Sequence, residues 1–146
     1  MIGRTQPMTW ANALSTRASL VGAVKEVTDQ LRNGFDQSPD LGLVFISSSF
    51  TSEFSRLLPL LQEYFPVSTL IGCSGGGVIG TTSDQTAQEI EDSPALSLSL
   101  ASLPGVSVQS FHLASDDLPD LDSPPSDWID LVGVPPEAKP HFILMA

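Results

Sequence analysis

Apolar positions recur along this chain with the periods of both helix and strand. Leu20, Val24, Val27 and Leu31 lie at helical spacing and define one face. Lys25, Glu26, Asp29 and Arg32 occupy the opposite face, as a solvated side requires. Ser15 or Thr16 is placed to cap this helix and Gly34 to end it. Trp10–Leu14, just before it, reads as a short strand. Leu41–Ser47 is a continuous apolar run, the pattern of a strand buried on both faces. A second helix is predicted over Ser52–Phe65, with Phe54, Leu57, Leu58, Leu61 and Phe65 on one face. Pro59 lies inside that pattern and should kink or split the helix, and Pro66 ends it. Val67–Cys73 is read as the next buried strand.

Beyond these elements the pattern changes. Val78-Ile79-Gly80 reads as extended, and the polar, acidic stretch Thr81–Ser93 as loop. Pro94–Leu103 alternates, with Leu96, Leu98 and Leu100 against Ser97, Ser99 and Ala101, which predicts a strand with one apolar face. Pro104-Gly105 is a turn signal, and Val106–Leu113 completes an antiparallel hairpin in this reading. Ala114–Ser126 is acidic, proline-containing loop. Trp128–Val132 makes one short helix between Pro124-Pro125 and Gly133. Pro135-Pro136 is a linker, and Pro140–Ala146 opens a last apolar strand. The predicted class is α/β: a layered mixed sheet with an N-terminal βαβαβ unit, neighbouring strands parallel, followed by an antiparallel hairpin and a short helix. Residues 1–8 are expected to be a flexible tail and 9–146 one domain. The apolar strand at the end of the sequence makes that domain read as incomplete at its C-terminus. There is no internal repeat.

Composition narrows the partners. The 146 residues fit one domain, and 41% hydrophobic residues suffice for a core. Only 16% are charged, which leaves surface suited to being covered. The net charge of −11 is uneven. Residues 57–146 hold twelve acidic residues against Lys139, while the first 56 residues balance. Such a field repels phosphates and anionic headgroups, so neither nucleic acid nor a membrane surface is an expected partner. One cysteine, Cys73, excludes an internal disulfide and suits a reducing compartment. Met1–Ser15 lacks the continuous apolar stretch of a signal peptide, and no segment has the length of a membrane helix. A cytoplasmic location is expected.

Chemistry concentrates in Leu70-Ile71-Gly72-Cys73-Ser74-Gly75-Gly76-Gly77-Val78-Ile79-Gly80, an apolar run that enters a cluster of glycines. A glycine-rich loop at the end of a strand lets a ligand approach the backbone and offers successive N–H groups to an anion or amide. Gly72, Cys73, Ser74, Gly75, Gly76 and Gly77 are therefore the candidate ligand-binding residues, with Ser74 as a second donor. A tight turn that needs glycine for packing alone explains the same residues. The Lys-Ser/Thr ending of a P-loop is absent. Gly75, Gly77 and Gly80 match a dinucleotide fingerprint on paper, but no helix is predicted after them.

Gly72-Cys73-Ser74-Gly75-Gly76 also fits the G-x-S-x-G nucleophile pattern. Asp116 or Asp117 and His112 or His141 could complete a triad, yet the helix that should follow the serine is missing from the pattern. Cys73 has no neighbouring cation in sequence to activate it and reads as a buried, inert thiol. Asp116, Asp117, Asp120, Asp122, Asp127 and Asp130 lack the glycine and closing glutamate of a calcium loop and read as solvated. His112 and His141 lack metal-ligand spacing, so no metal and no cofactor is expected. Trp10 and Trp128 read as core or interface anchors.

At these residues the chain resembles the FIST family, named for F-box and intracellular signal transduction proteins. The matching pieces are Trp10-Ala11-Asn12-Ala13-Leu14-Ser15, Leu43-Val44-Phe45-Ile46-Ser47, Ile71-Gly72-Cys73-Ser74-Gly75-Gly76-Gly77-Val78-Ile79-Gly80, Pro94-Ala95-Leu96-Ser97-Leu98 and Pro140-His141-Phe142-Ile143-Leu144. The resemblance spans residues 9–146 and concerns the family's N-terminal domain. It implies a sensory, signal-transduction module that binds a small ligand, with amino acids proposed for the family. It also implies a partner: a C-terminal FIST domain or another signalling domain. It carries no catalytic residues. Some members have an acidic residue where this chain has Val78, a difference that alters the polarity of the ligand site. The expected function is thus a non-enzymatic sensor of an amino acid or similar small metabolite. The alternatives are a protein-interaction module of a larger FIST-type protein and a serine hydrolase using Ser74.

Overall fold

A computed structural model describes residues 7–35 and 38–145. It divides into two compact units, Met1–Val108 and Gln109–Ala146. Most of the predicted tail, and Asp36 and Gln37, lie outside the described residues.

The first unit carries six strands and two helices: β1 (Thr9–Ser15), α1 (Leu20–Leu31), β2 (Leu41–Ser47), α2 (Phe54–Tyr64), β3 (Thr69–Gly75), β4 (Gly77–Thr81), β5 (Ala87–Glu91) and β6 (Leu96–Ser102). Four strands form a mixed sheet in the order β1-β6-β2-β3, and β4 and β5 form a separate antiparallel pair. The predicted class stands, with three differences in connectivity. Only β2 and β3 are parallel, because β6 inserts between β1 and β2 and runs antiparallel to both. The hairpin is made by β4, which contains the extended stretch Val78-Ile79-Gly80, and β5, which lies within the stretch read as loop, with Gly77 opposite Glu91 and Thr81 opposite Ala87. Val106–Leu113 forms no strand.

Sheet alternation sorts the apolar residues into two layers. Ala13, Val44, Ile46, Leu96, Leu98 and Leu100 face α1 and α2, meeting Leu20, Val24, Val27, Leu31, Leu57 and Leu61 in the main core. The other face holds a smaller cluster of Leu14, Val78 and Ala95, with Phe45 and Ile90 against it. The β4–β5 pair thus caps one face of the sheet while the helices cover the other. As the central strand, β6 is buried on both sides, and Ser97 is as buried as the leucines.

Helix α1 buries the face its spacing predicts, but Ser19 is the residue that caps it, its hydroxyl accepting from the Gly22 N–H at 3.1 Å. Ser15 instead donates its hydroxyl to Glu26, which also pairs with Arg17 at 3.5 Å. Helix α2 runs unbroken through Pro59. Pro59 and Ser55, whose carbonyl loses its helical donor, are both exposed, which leaves the freed oxygen on the solvent side of the helix. Leu58 points to solvent, 54% exposed, and is not part of the apolar face.

Asn12 ties the hairpin to the sheet. Its amide nitrogen donates to the hydroxyls of Ser97 and Ser99 at 3.0 and 2.8 Å, and its oxygen accepts from the Thr81 N–H at 2.6 Å. Beside it Gly80 is buried, and a Cβ there would lie 2.8 Å from Leu14 Cβ and 3.0 Å from Asn12 Oδ1. Asn12→Ala strands these partners in a half-buried site and should cost about 1–3 kcal/mol. Urea unfolding of variant and parent checks this, and a loss below about 0.5 kcal/mol would exclude the tie.

The second unit contains α3 (Pro125–Val132), which closes at Gly133 as predicted but starts on Pro125, three residues before the predicted Trp128. A short 3₁₀ turn, Pro136–Ala138, follows. Pro140–Met145 is not a strand, in contrast to the expectation for 140–146, whose last residue lies outside the described region. Phe142 meets Phe111 edge-on, with ring centroids 6.3 Å apart. No described residue of this unit is fully buried.

Candidate functional site

The six candidate residues lie on two strands rather than in a loop. Gly72, Cys73, Ser74 and Gly75 are on β3, Gly76 alone forms the bend, and Gly77 opens β4. The chain passes from one sheet to the other at that single residue. The strand is at the sheet's edge and is not a buried one: Gly72, Cys73 and Ser74 are exposed, and Leu70 and Ile71 half-buried. The reading of Cys73 as a buried thiol is therefore corrected; its side chain is exposed. The apolar run that suggested burial is half-covered because β3 has a neighbour on one side only.

The glycines differ in what they accommodate. A Cβ on Gly72 would lie 1.9 Å from the carbonyl oxygen of Val44, its register partner on β2. Gly72 is thus required for packing. A Cβ on Gly76 would meet nothing within 4 Å. At Gly77, a Cβ would lie 3.3 Å from Glu89 Oε1 and 3.6 Å from Glu91 Cγ. Strand β5 therefore brings two carboxylates beside the end of the glycine run. The sequence reading missed them because it took Ala87–Glu91 for loop; the alternation of Gln88 and Ile90 with Glu89 and Glu91 was the available signal.

Those glutamates line an open cavity of about 480 Å³ with Thr16, Ile90, Ser93 and Pro94. Its volume is within the range of small-ligand sites. Two anions, two hydroxyls and an apolar wall suit a small molecule bearing an ammonium group. At the far tip of the hairpin, hydrogen bonds from the Thr82 hydroxyl, then the Thr86 hydroxyl and N–H, hold the Asp84 carboxyl below its ordinary pKa of 3.8. This closes the β4–β5 turn.

Ser74 is followed by the Gly76 bend and a strand. His112, His141, Asp116 and Asp117 belong to the second unit. Among the described residues, no three His, Cys, Asp or Glu side chains are grouped to hold a metal ion. Trp10 is 53% exposed, so it is not a core residue. Trp128 is half-buried and lines an apolar cavity of about 390 Å³ within the second unit, with Ile129, Val132, Val134, Pro136, Pro140 and Phe142. No helix among the described residues is long and apolar enough to cross a membrane.

No curated protein matches this chain at a significant level. The FIST N domain family model matches residues 40–134, from the start of β2 to just beyond α3, and takes in every candidate residue on β3, β4 and β5. That match covers well over half of the sequence, and the chain belongs to the FIST family.

Proposed function

We propose that this sensory, signal-transduction FIST domain binds a free amino acid or similar small metabolite at Gly72–Gly77, without catalysing a reaction. The observation that carries the reading is the bend at Gly76. Its backbone is exposed, no side chain stands over it, and Glu89 and Glu91 flank the adjoining Gly77. Backbone N–H groups and the Ser74 hydroxyl are donors suited to a carboxylate. The two glutamates are acceptors suited to an α-ammonium group. An amino acid presents both charges within a few ångströms, which a simple carboxylate or a simple amine does not. The binding signal would pass to a C-terminal FIST domain or another signalling domain, in a cytoplasmic protein.

Replacement of Gly76 by valine leaves the fold intact, because the added side chain enters open space, and occupies the position the ligand needs. Amide NMR spectra recorded with a pool of free amino acids should show shifts confined to residues 72–77 and 89–91 in the parent. In Gly76→Val the same titration should be weakened by at least about tenfold, close to 1.4 kcal/mol. A folded Gly76→Val variant with unchanged affinity would remove the site. Labelling of Ser74 by a fluorophosphonate probe would replace the sensor reading with a hydrolase.

A further inference from the structure

We propose that the metabolite held at Gly72–Gly77 is an amino acid with a cationic side chain, of the lysine and ornithine class. This rests on the amino-acid reading of the site and narrows it. Glu89 and Glu91 lie on one side of β5, with Ile90 between them turned toward the small cluster of Leu14, Val78 and Ala95. Their carboxylates converge. Gly77 stands opposite Glu91 in the ladder, yet Glu89 Oε1 reaches to 3.3 Å from the Cβ position of Gly77 and Glu91 Oε1 to 3.8 Å from the same point. Among the described residues, neither carboxylate belongs to an ion pair. Arg17, which follows the cavity residue Thr16, is held by Glu26 at 3.5 Å. No lysine or arginine occurs between Arg56 and Lys139, and Asp92 adds a further negative charge next to Glu91.

Charge balance selects the ligand. A neutral amino acid brings one ammonium group to two converging carboxylates and leaves one of them uncompensated. A cationic side chain supplies the second positive charge. The cavity of about 480 Å³ that both glutamates line has room for that side chain. Ile90 and Pro94 form a wall for its methylene groups, and the Thr16 and Ser93 hydroxyls can accept from its terminal N–H groups. An acidic side chain in the same place meets two like charges. A diamine without a carboxylate leaves the glycine N–H groups unused.

Lysine and norleucine, which differ only in the terminal ammonium group, test this in amide NMR titrations of the whole chain. At low salt lysine should bind about three- to fivefold more tightly, as expected for an ion pair to exposed carboxylates. The preference should fade at high salt, where the charges are screened. Shifts from lysine should extend beyond residues 72–77 to Ile90 and Ser93. Glu89→Gln combined with Glu91→Gln should weaken both ligands and abolish the preference for lysine. Circular dichroism checks the fold of that variant, and Glu91→Gln alone, with a reduced preference, takes its place if it does not fold. Norleucine binding as tightly as lysine, with shifts at residues 72–77, would overturn the cationic class and leave the amino-acid site standing. Cadaverine binding as tightly as lysine, or a lysine preference that survives the loss of both carboxylates, would overturn it as well. If neither amino acid shifts residues 72–77, this proposal and the site beneath it fall together.

Discussion

Gly72→Ala should unfold the first unit or cost it more than about 3 kcal/mol, the upper end for an overpacked interior. The added methyl meets a backbone carbonyl at 1.9 Å and Val44 Cγ1 at 2.6 Å, so no rotamer change relieves it. Either β3 moves off β2 and gives up the parallel ladder, or β2 shifts and disturbs β6, which is buried on both faces. Gly76→Ala, four residues on, should change stability by less than about 0.5 kcal/mol, because nothing lies within 4 Å of its Cβ position. Chemical denaturation of the two variants side by side checks the contrast. Equal effects would mean that the glycine run acts as one flexible loop and not as a packed strand joined to an open bend.

Phe50→Ala is expected to cost about 3–5 kcal/mol. Phe50 is 2% exposed in an otherwise polar segment, the short 3₁₀ helix Ser48–Glu53 between β2 and α2. Its ring joins the main core beside Ile46, Leu57 and Leu61, where the crossover that makes β2 and β3 parallel begins. Truncation leaves a ring-sized cavity at that corner, and because the connection is held by this one buried side chain, it has little means of collapsing. Thermal unfolding followed by circular dichroism measures the loss. A cost below about 1 kcal/mol would show that α2 alone positions the crossover.

Period carried most of what the sequence disclosed. Helix α1 and strand β2 were legible because one buries a clean stripe and the other both faces, and α3 because its proline and glycine punctuate it. The errors share a physical origin: a strand's partner decides what it must look like. Ala87–Glu91 reads as loop because it pairs with a single neighbour and turns Glu89 and Glu91 outward. Strand β6 alternates Leu with Ser as if one face were wet, yet Ser97 is buried and hydrogen-bonded to Asn12. Val106–Leu113 and Pro140–Met145 have strand composition without a strand partner among the described residues. At the candidate site the glycines were visible, and the division between Gly72, needed for close approach, and Gly76, open to solvent, was not. That division is set by Val44, nearly thirty residues away in sequence.

The central place of β6 also fixes when the protein can fold as it leaves the ribosome. Thr9 pairs with Ser102, and β1 shares no ladder with β2. Until Leu96–Ser102 has emerged, β1 with its tryptophan and the β2–α2–β3 unit share no ladder, and both keep raw edges and uncovered leucine-facing surface. A nascent chain stalled before Leu96 is thus the species most exposed to mispairing and to chaperone capture. Closure of a ladder between such distant segments is a slow step of the kind that long-range topology imposes.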